Sequence, residues 1–141
     1  QYQRLPDDRM RVATLGQQRF RVLEYVREKP YKVGLVEWIE DNPPQKDLRP
    51  LAREVEQLLR DVVRLSAKLT EQEIDLPENI PDLPTELSYW VASNLYGVAA
   101  EQQTLLEMQD TAARLEREAD ILKSTRNHLA ARTVLKDTFE A

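Results

Sequence analysis

The sequence predicts an α+β protein in which a β-rich part precedes a bundle of helices. Between residues 9 and 26 apolar residues alternate with arginines, and alternation with a period of two is typical of strands. From residue 48 onward apolar residues recur every three or four positions, which is typical of helices. Asp41-Asn42-Pro43-Pro44 separates the two patterns. We therefore expect residues 1–43 to form the β-rich part and residues 44–141 the helical part of one domain.

Length and composition exclude several kinds of site. The 141 residues are 41% hydrophobic and 32% charged, which suits one soluble domain with its own core. Cysteine is absent and histidine occurs once, so disulfides, thiolate sites and multi-histidine metal sites are excluded. No apolar run has the length of a membrane span. We expect a cytoplasmic protein that binds no metal or cofactor.

The charge is distributed unevenly along the chain. Residues 1–32 hold eight Lys/Arg and four Asp/Glu, a net of +4, whereas residues 33–110 hold six and sixteen, a net of −10. An acidic middle of this strength opposes phosphate binding over most of the surface. Only the first segment offers a basic patch.

The N-terminal strands are predicted to form a hairpin over residues 9–26. Gly16 lies between its two arms, where a tight turn needs a positive φ, and "LPDDR" before it is a turn. A third strand over residues 31–40 has apolar residues on both faces, which predicts deeper burial than its neighbours have. The arginines of the hairpin should then share one face: Arg9, Arg11, Arg19 and Arg21.

A long amphipathic helix is the clearest element of the second part. Its apolar seam runs from Leu48 to Leu69, and the proline-rich acidic stretch 70–84 predicts an extended linker. We expect a helix over 85–97 that ends at Gly97, and a short helix from Gln102 to Met108. Asp110 is placed to cap a last long helix, whose final turns from Arg126 are polar enough to project from the body.

The stretch "EQQTLLEMQDTAARLE", residues 101–116, concentrates carboxylates in a way that resembles the edge of an active site. Paired carboxylates catalyse where a pocket separates their pKa values, and no histidine, cysteine or second acidic cluster accompanies Glu101, Glu107 and Asp110. We expect these residues to organise helices. His128 and the scattered serines show no catalytic pattern either, so no enzymatic activity is expected.

Three stretches together resemble the N-terminal domain of Lon proteases. Leu5-Pro6-Asp7 before a strand and Gly16-x-x-Arg19 after it match the family pattern, as does "PYKVGLVEWIED" before a long helix. The segment Glu101-Gln102-Gln103-Thr104-Leu105-Leu106-Glu107, then Asp110 and Arg114-Leu115, is similar to a later helical motif of that family, one residue looser than a strict match. The resemblance covers nearly the whole chain.

The resemblance implies a non-catalytic module that recognises polypeptide substrates or partners, with a PUA-like barrel part followed by helices. The family's first strands are missing here, so we expect the barrel to be incomplete and the chain to be a fragment. The chain has no glycine-rich phosphate loop, so neither the ATPase nor the protease of Lon is expected. The chain is similar in style to stand-alone Lon-domain proteins of cyanobacteria and chloroplasts, which would place a plant version in the chloroplast stroma.

Candidate partner-binding residues are the aromatic and basic residues of the β-rich part. Most of the aromatic residues are expected in the core or at its edge, and any that are exposed together would bind unfolded segments. The arginine face is either a solvated surface or a site for acidic peptide or RNA, although no aromatic stacking platform lies between the arginines. The candidates are Tyr2, Tyr25, Tyr31, Trp38, Arg9, Arg11, Arg19 and Arg21.

Two alternatives to polypeptide recognition stay open. The seam from Leu48 to Leu69 spans about three heptads and is also compatible with a coiled coil, which would make the chain a helical scaffold or oligomerisation module. RNA binding by a PUA-like barrel is the weaker alternative, because most of the chain is acidic.

Overall fold

The structure is a computed structural model that describes residues 1–95 and 99–139. The chain forms two compact units, Gln1–Glu40 and Asp41–Ala141. The first contains strands and the second helices, so the α+β prediction is confirmed.

The first unit consists of two separate antiparallel ribbons of two strands each. Strand β1, Tyr2–Arg4, pairs with β2, Met10–Val12, and β3, Arg19–Arg27, pairs with β4, Val33–Ile39. The described residues contain no closed barrel. β4 is exposed along most of its length, and only Ile39 is buried, so the prediction of a deeply buried third strand is wrong.

The predicted hairpin over residues 9–26 is also wrong, because β2 pairs with the preceding strand, β1, and not with β3. The turn between β1 and β2 is closed by Asp8, which takes a φ of 63°, and by ion pairs from Arg4 to Asp8 and from Arg9 to Asp7. Asp is one of the few residues that tolerates this left-handed conformation. Gly16 lies outside both ribbons, and its φ is outside the left-handed region that favours glycine.

Four helices form the second unit, and their order agrees with the sequence pattern. They are α1, Arg49–Thr70; α2, Pro84–Ser93; α3, Ala99–Glu107; and α4, Thr111–Phe139. Segment 71–83 has no helix or strand, as the prolines predicted. Helix α3 begins three residues earlier than expected, and the expected stop at Gly97 lies outside the described residues. No described helix combines the length and apolarity that crossing a membrane requires.

Helices α1 and α4 lie side by side and run in the same direction. Near the start of α1, Glu54 forms an ion pair with Lys123 of α4. Near the end of α1, Lys68 forms an ion pair with Asp137, farther along α4, so the two helices are parallel. Apolar side chains from all four helices fill the core, and complete burial of a leucine side chain stabilises by about 1.5–3 kcal/mol. The buried members are Leu48, Ala52, Val55, Leu58, Leu59, Leu87, Val91, Leu95, Leu105, Leu115, Ala119 and Leu122.

The last turns of α4 do not project from the bundle, contrary to the sequence-based expectation. Thr133 is buried, and the Lys136 ammonium donates to the Glu71 carboxylate and to the Leu69 carbonyl. The negative end of the α1 macrodipole favours a cation at this place. Lys136 therefore holds the end of α4 against the end of α1.

Arg114 lies at the centre of the polar contacts that join the helices. Its side chain is fully buried, and its guanidinium uses all five N–H groups. Nε donates to the Leu105 carbonyl at 3.2 Å, and the terminal nitrogens donate to both Asp41 oxygens, to Ser88 Oγ and to the Met108 carbonyl. The guanidinium carbon also lies 4.2 Å from the centroid of the Tyr89 ring.

Asp41 is the acceptor that connects this centre to the segment before α1. Its carboxylate accepts hydrogen bonds from Arg114 at 2.6 and 2.9 Å, from Thr111 at 2.9 Å and from Tyr89 at 3.1 Å. Burial raises the pKa of Asp41, but the bonds from Arg114 and Thr111 outweigh burial and lower it to about 2. This stabilisation is present above the ordinary pKa of 3.8 and is lost as the pH falls toward 2.

Glu118 is a second buried ionisable group, one helical turn beyond Arg114. It is fully buried, and neither of its carboxyl oxygens has a hydrogen-bond partner in the described part of the chain. Burial raises the pKa of Glu118 to about 9, although the positive charge of Arg114 opposes the rise. Glu118 is therefore a neutral acid in the folded core at neutral pH.

Replacement of Arg114 by methionine should lower the free energy of unfolding by about 3–5 kcal/mol, because it leaves the largely buried Asp41 carboxylate, 11% exposed, without its cation. Urea denaturation followed by far-ultraviolet circular dichroism measures this loss. Arg126→Met is the control, because it removes an arginine of the same helix that is partly exposed. The contact of Arg126 with a carboxylate is long, at 3.9 Å between its Nη1 and Asp61 Oδ2. A loss below about 1 kcal/mol for Arg114→Met would contradict a central role for this residue.

Glu118 should make the protein less stable as the pH rises. The unfolded chain loses this proton near pH 4.5 and the folded chain near pH 9, so the unfolding free energy falls between these values by up to about 1.4 kcal/mol per pH unit. Glu118→Gln does not titrate and should flatten the profile, whereas Glu116→Gln, at an exposed position, should keep the slope. Equal slopes in Glu118→Gln and the wild type would show that Glu118 is ionised in the fold.

Candidate functional site

The polar centre around Arg114 is enclosed by the bundle. Arg114, Glu118 and Ser88 are all fully buried, so a substrate has no access to them in this conformation. The contacts of Arg114 connect helices, as its hydrogen bonds to Asp41 and to the carbonyls of Leu105 and Met108 show. A candidate binding site therefore lies on the surface of the described residues.

Three carboxylates of the stretch 101–116, those of Glu101, Glu107 and Asp110, each have a partner that organises the helices. Asp110 accepts a hydrogen bond from the Ala113 amide at 2.9 Å, so its predicted role as the cap of α4 is confirmed. Glu101 forms an ion pair with Arg117 of α4 at 2.6 Å, and Glu107 accepts from Gln103 within α3. The sequence did not reveal Arg117 as the partner of Glu101, because the two residues lie sixteen positions apart.

One face of the β3–β4 ribbon is an exposed apolar surface, which we call the aromatic face. The register places Phe20 opposite Trp38 and Val22 opposite Val36, and side chains of directly opposed residues point to the same side. The rings of Phe20 and Trp38 meet edge to face with centroids 6.1 Å apart. Tyr25, opposite Gly34, continues this face. Its members are Phe20, Val22, Tyr25, Val36 and Trp38.

The aromatic face is more exposed than a core surface would be. Phe20 and Trp38 are 53% and 61% exposed, and Tyr25 is 52% exposed. Contiguous apolar surface that stays in contact with water usually marks a site of interaction. This arrangement can hold apolar side chains of a partner without any catalytic group.

The backbone of this ribbon offers a second kind of contact. Within the described residues β3 and β4 pair only with each other, so each has one edge with no strand beside it. An edge of this kind can pair with an extended polypeptide. Irregularities in β3 after Val22 and after Tyr25 place Leu23 and Val26 outside the ladder, and both are exposed.

The other face of the ribbon mixes charged and apolar residues. Arg21 lies opposite Glu37, and the two side chains form an ion pair at 3.2 Å. Arg19 lies opposite Ile39, and Glu24 opposite Leu35. The sequence predicted polar residues on this face but not Glu37 as the partner of Arg21.

The four candidate arginines do not share one face, because they belong to two ribbons. Arg9 precedes β2 and pairs with Asp7, and Arg11 lies on β2 opposite Gln3. Only Arg19 and Arg21 lie on β3. The prediction of one arginine surface is wrong, because it required residues 9–26 to form a single hairpin.

The four candidate aromatic residues are exposed, so the expectation that most would be buried is wrong for them. Tyr25 and Trp38 lie on the aromatic face, Tyr31 lies in the β3–β4 connection, and Tyr2 lies on β1 in the other ribbon. Phe20, Val22 and Val36 were missing from the candidates. The alternation of apolar and charged residues in "RFRV" signalled a shared face but not its exposure.

The β3–β4 connection carries cations over aromatic rings. The Arg27 guanidinium carbon lies 4.7 Å from the centroid of the Tyr31 ring, and Lys32 Nζ lies 4.9 Å from that of Tyr25. Both distances are within the range of cation–π attraction. The aromatic face thus adjoins a basic end.

Residues 1–124 match the family described as the ATP-dependent protease La (LON) substrate-binding domain. No curated protein matches the chain. The match spans both ribbons, all of α1 to α3 and the first half of α4, including Asp41 and Arg114. The chain therefore belongs to the Lon substrate-binding domain family and is a protein-binding module.

Proposed function

We propose that this chain recognises unfolded polypeptide segments through the aromatic face of the β3–β4 ribbon and has no catalytic activity of its own. The observation that carries the proposal is the exposure of Phe20 and Trp38 in edge-to-face contact on a two-stranded ribbon. Family membership supports polypeptide as the ligand.

Unfolded segments fit this surface better than folded proteins do. A segment in extended conformation presents alternate side chains to one side, with the same spacing that separates Phe20, Val22, Val36 and Trp38 along their strands. It also offers unpaired backbone groups to the free edge of β3 or β4. A folded protein has already paired these groups internally.

The structure argues against a scaffold assembled through α1. Val55 and Leu58, in the middle of the predicted seam, are buried in the chain's own core. A coiled coil with a second copy would need the same face. This contact within the bundle removes the main argument for self-association as the principal function.

Replacement of Phe20 and Trp38 by serine should weaken binding of an unfolded client at least tenfold, because both large contacts of the aromatic face are removed. The client is a disulfide-bonded globular protein, presented either native or after reduction and capping with iodoacetamide. Fluorescence anisotropy of the labelled client measures the affinity. The wild type should bind only the unfolded form.

The matched control is Leu15→Ser/Leu135→Ser, which removes two exposed apolar residues that lie outside the aromatic face. It should bind the client as the wild type does. Equal affinity for native and unfolded client, or an equal loss in the two double variants, would overturn the proposal.

A further inference from the structure

We propose that the connection between β3 and β4 makes this site select polypeptide segments that carry acidic residues next to apolar ones. The inference rests on the proposed polypeptide binding and names its preferred substrate class. The group concerned, called the basic tip, consists of Tyr25, Arg27, Lys29, Tyr31 and Lys32.

The cations of the basic tip lack the partners that neutralise other arginines of the same unit. Arg4, Arg9 and Arg21 each form an ion pair with a carboxylate. Within residues 1–95 and 99–139, the basic tip's three cations form no ion pair. They are exposed, so a ligand can reach them.

Tyrosine rings contact two of these cations, and one of the two, Lys32, lies beside the apolar surface. Lys32 lies over Tyr25, which is itself a member of the aromatic face, and Arg27 lies over Tyr31. A cation that rests on a ring keeps its outer N–H groups available to a carboxylate. A segment whose apolar side chains cover Trp38 and Tyr25 would therefore place its next residues beside Lys32, at the end of the ribbon that also carries Arg27.

The positive charge of the basic tip favours an acidic ligand. The adjoining aromatic face favours a polypeptide. Residues 25–32 contain three Lys/Arg and one Glu. Single-stranded nucleic acid also combines negative charge with flat rings, but it needs a basic groove along several nucleotides. Beyond the basic tip the ribbon presents aliphatic Val22 and Val36 on this face, which suit side chains rather than phosphates.

The test compares two extended twelve-residue peptides with alternating valine and phenylalanine. One ends in two glutamates and the other in two glutamines, and both carry the same fluorophore. The wild type should bind the glutamate peptide about fivefold more tightly at low salt, since exposed ion pairs contribute modestly. The preference should shrink at 0.5 M salt, where charges are screened within about 4–5 Å.

Arg27→Gln/Lys32→Gln should bind both peptides equally, with the affinity that the wild type has for the glutamine peptide. Arg53→Gln/Arg132→Gln removes two exposed cations from the helical unit and should keep the preference. Equal binding of the two peptides by the wild type would overturn the acidic selectivity and leave the proposed function standing. Binding of neither peptide would overturn both.

A third arm uses a twelve-nucleotide oligouridine. Tighter binding of this RNA than of the glutamate peptide, lost in Arg27→Gln/Lys32→Gln, would show that the basic tip serves nucleic acid and would overturn the assignment to acidic polypeptide. Weak RNA binding that is equal in Arg27→Gln/Lys32→Gln and Arg53→Gln/Arg132→Gln would support the assignment to acidic polypeptide.

Discussion

The guanidinium of Arg114 and the carboxylate of Asp41 form the contact on which the helical unit depends. Arg114 reaches α2 through Ser88, α3 through the Leu105 carbonyl, and the segment before α1 through Asp41. A buried arginine is costly unless every donor is used, and here all five are. Any rearrangement that separates these groups is costly, so they restrain the helices to one packing. Apolar contacts alone would specify this packing less strictly.

In the proposed function the helical unit supplies structure and the first unit supplies recognition. The helical unit buries its apolar residues and encloses its charged centre, whereas the first unit leaves Phe20, Tyr25 and Trp38 in water. A two-stranded ribbon is too thin to bury both faces by itself, so apolar residues on it are available to another chain. Apolar contact with the aromatic face is tolerant of sequence, and charges at the basic tip would add the selectivity.

The sequence predicted the helices well because their evidence is local. The spacing from Leu48 to Leu69 fixes which side of α1 is buried, and Asp110 identifies the start of α4 within a few residues. Strand pairing depends on partners that the pattern does not name, so β2 was assigned to β3 rather than β1. The Arg114–Asp41 contact joins residues 73 positions apart, and nothing in the sequence around either one indicates the other. The exposure of the aromatic residues could not be predicted from the sequence either. Alternation of apolar and charged residues indicates a shared face but not whether another element covers that face.

Hydrogen–deuterium exchange of the full chain, with and without saturating unfolded client, tests most directly where recognition occurs. The proposed function predicts slower exchange confined to residues 19–39 when client is present, with the amides of α1 and α4 unchanged. Protection of α1 or α4 with no change in β3 and β4 would contradict it and place the binding surface on the helices.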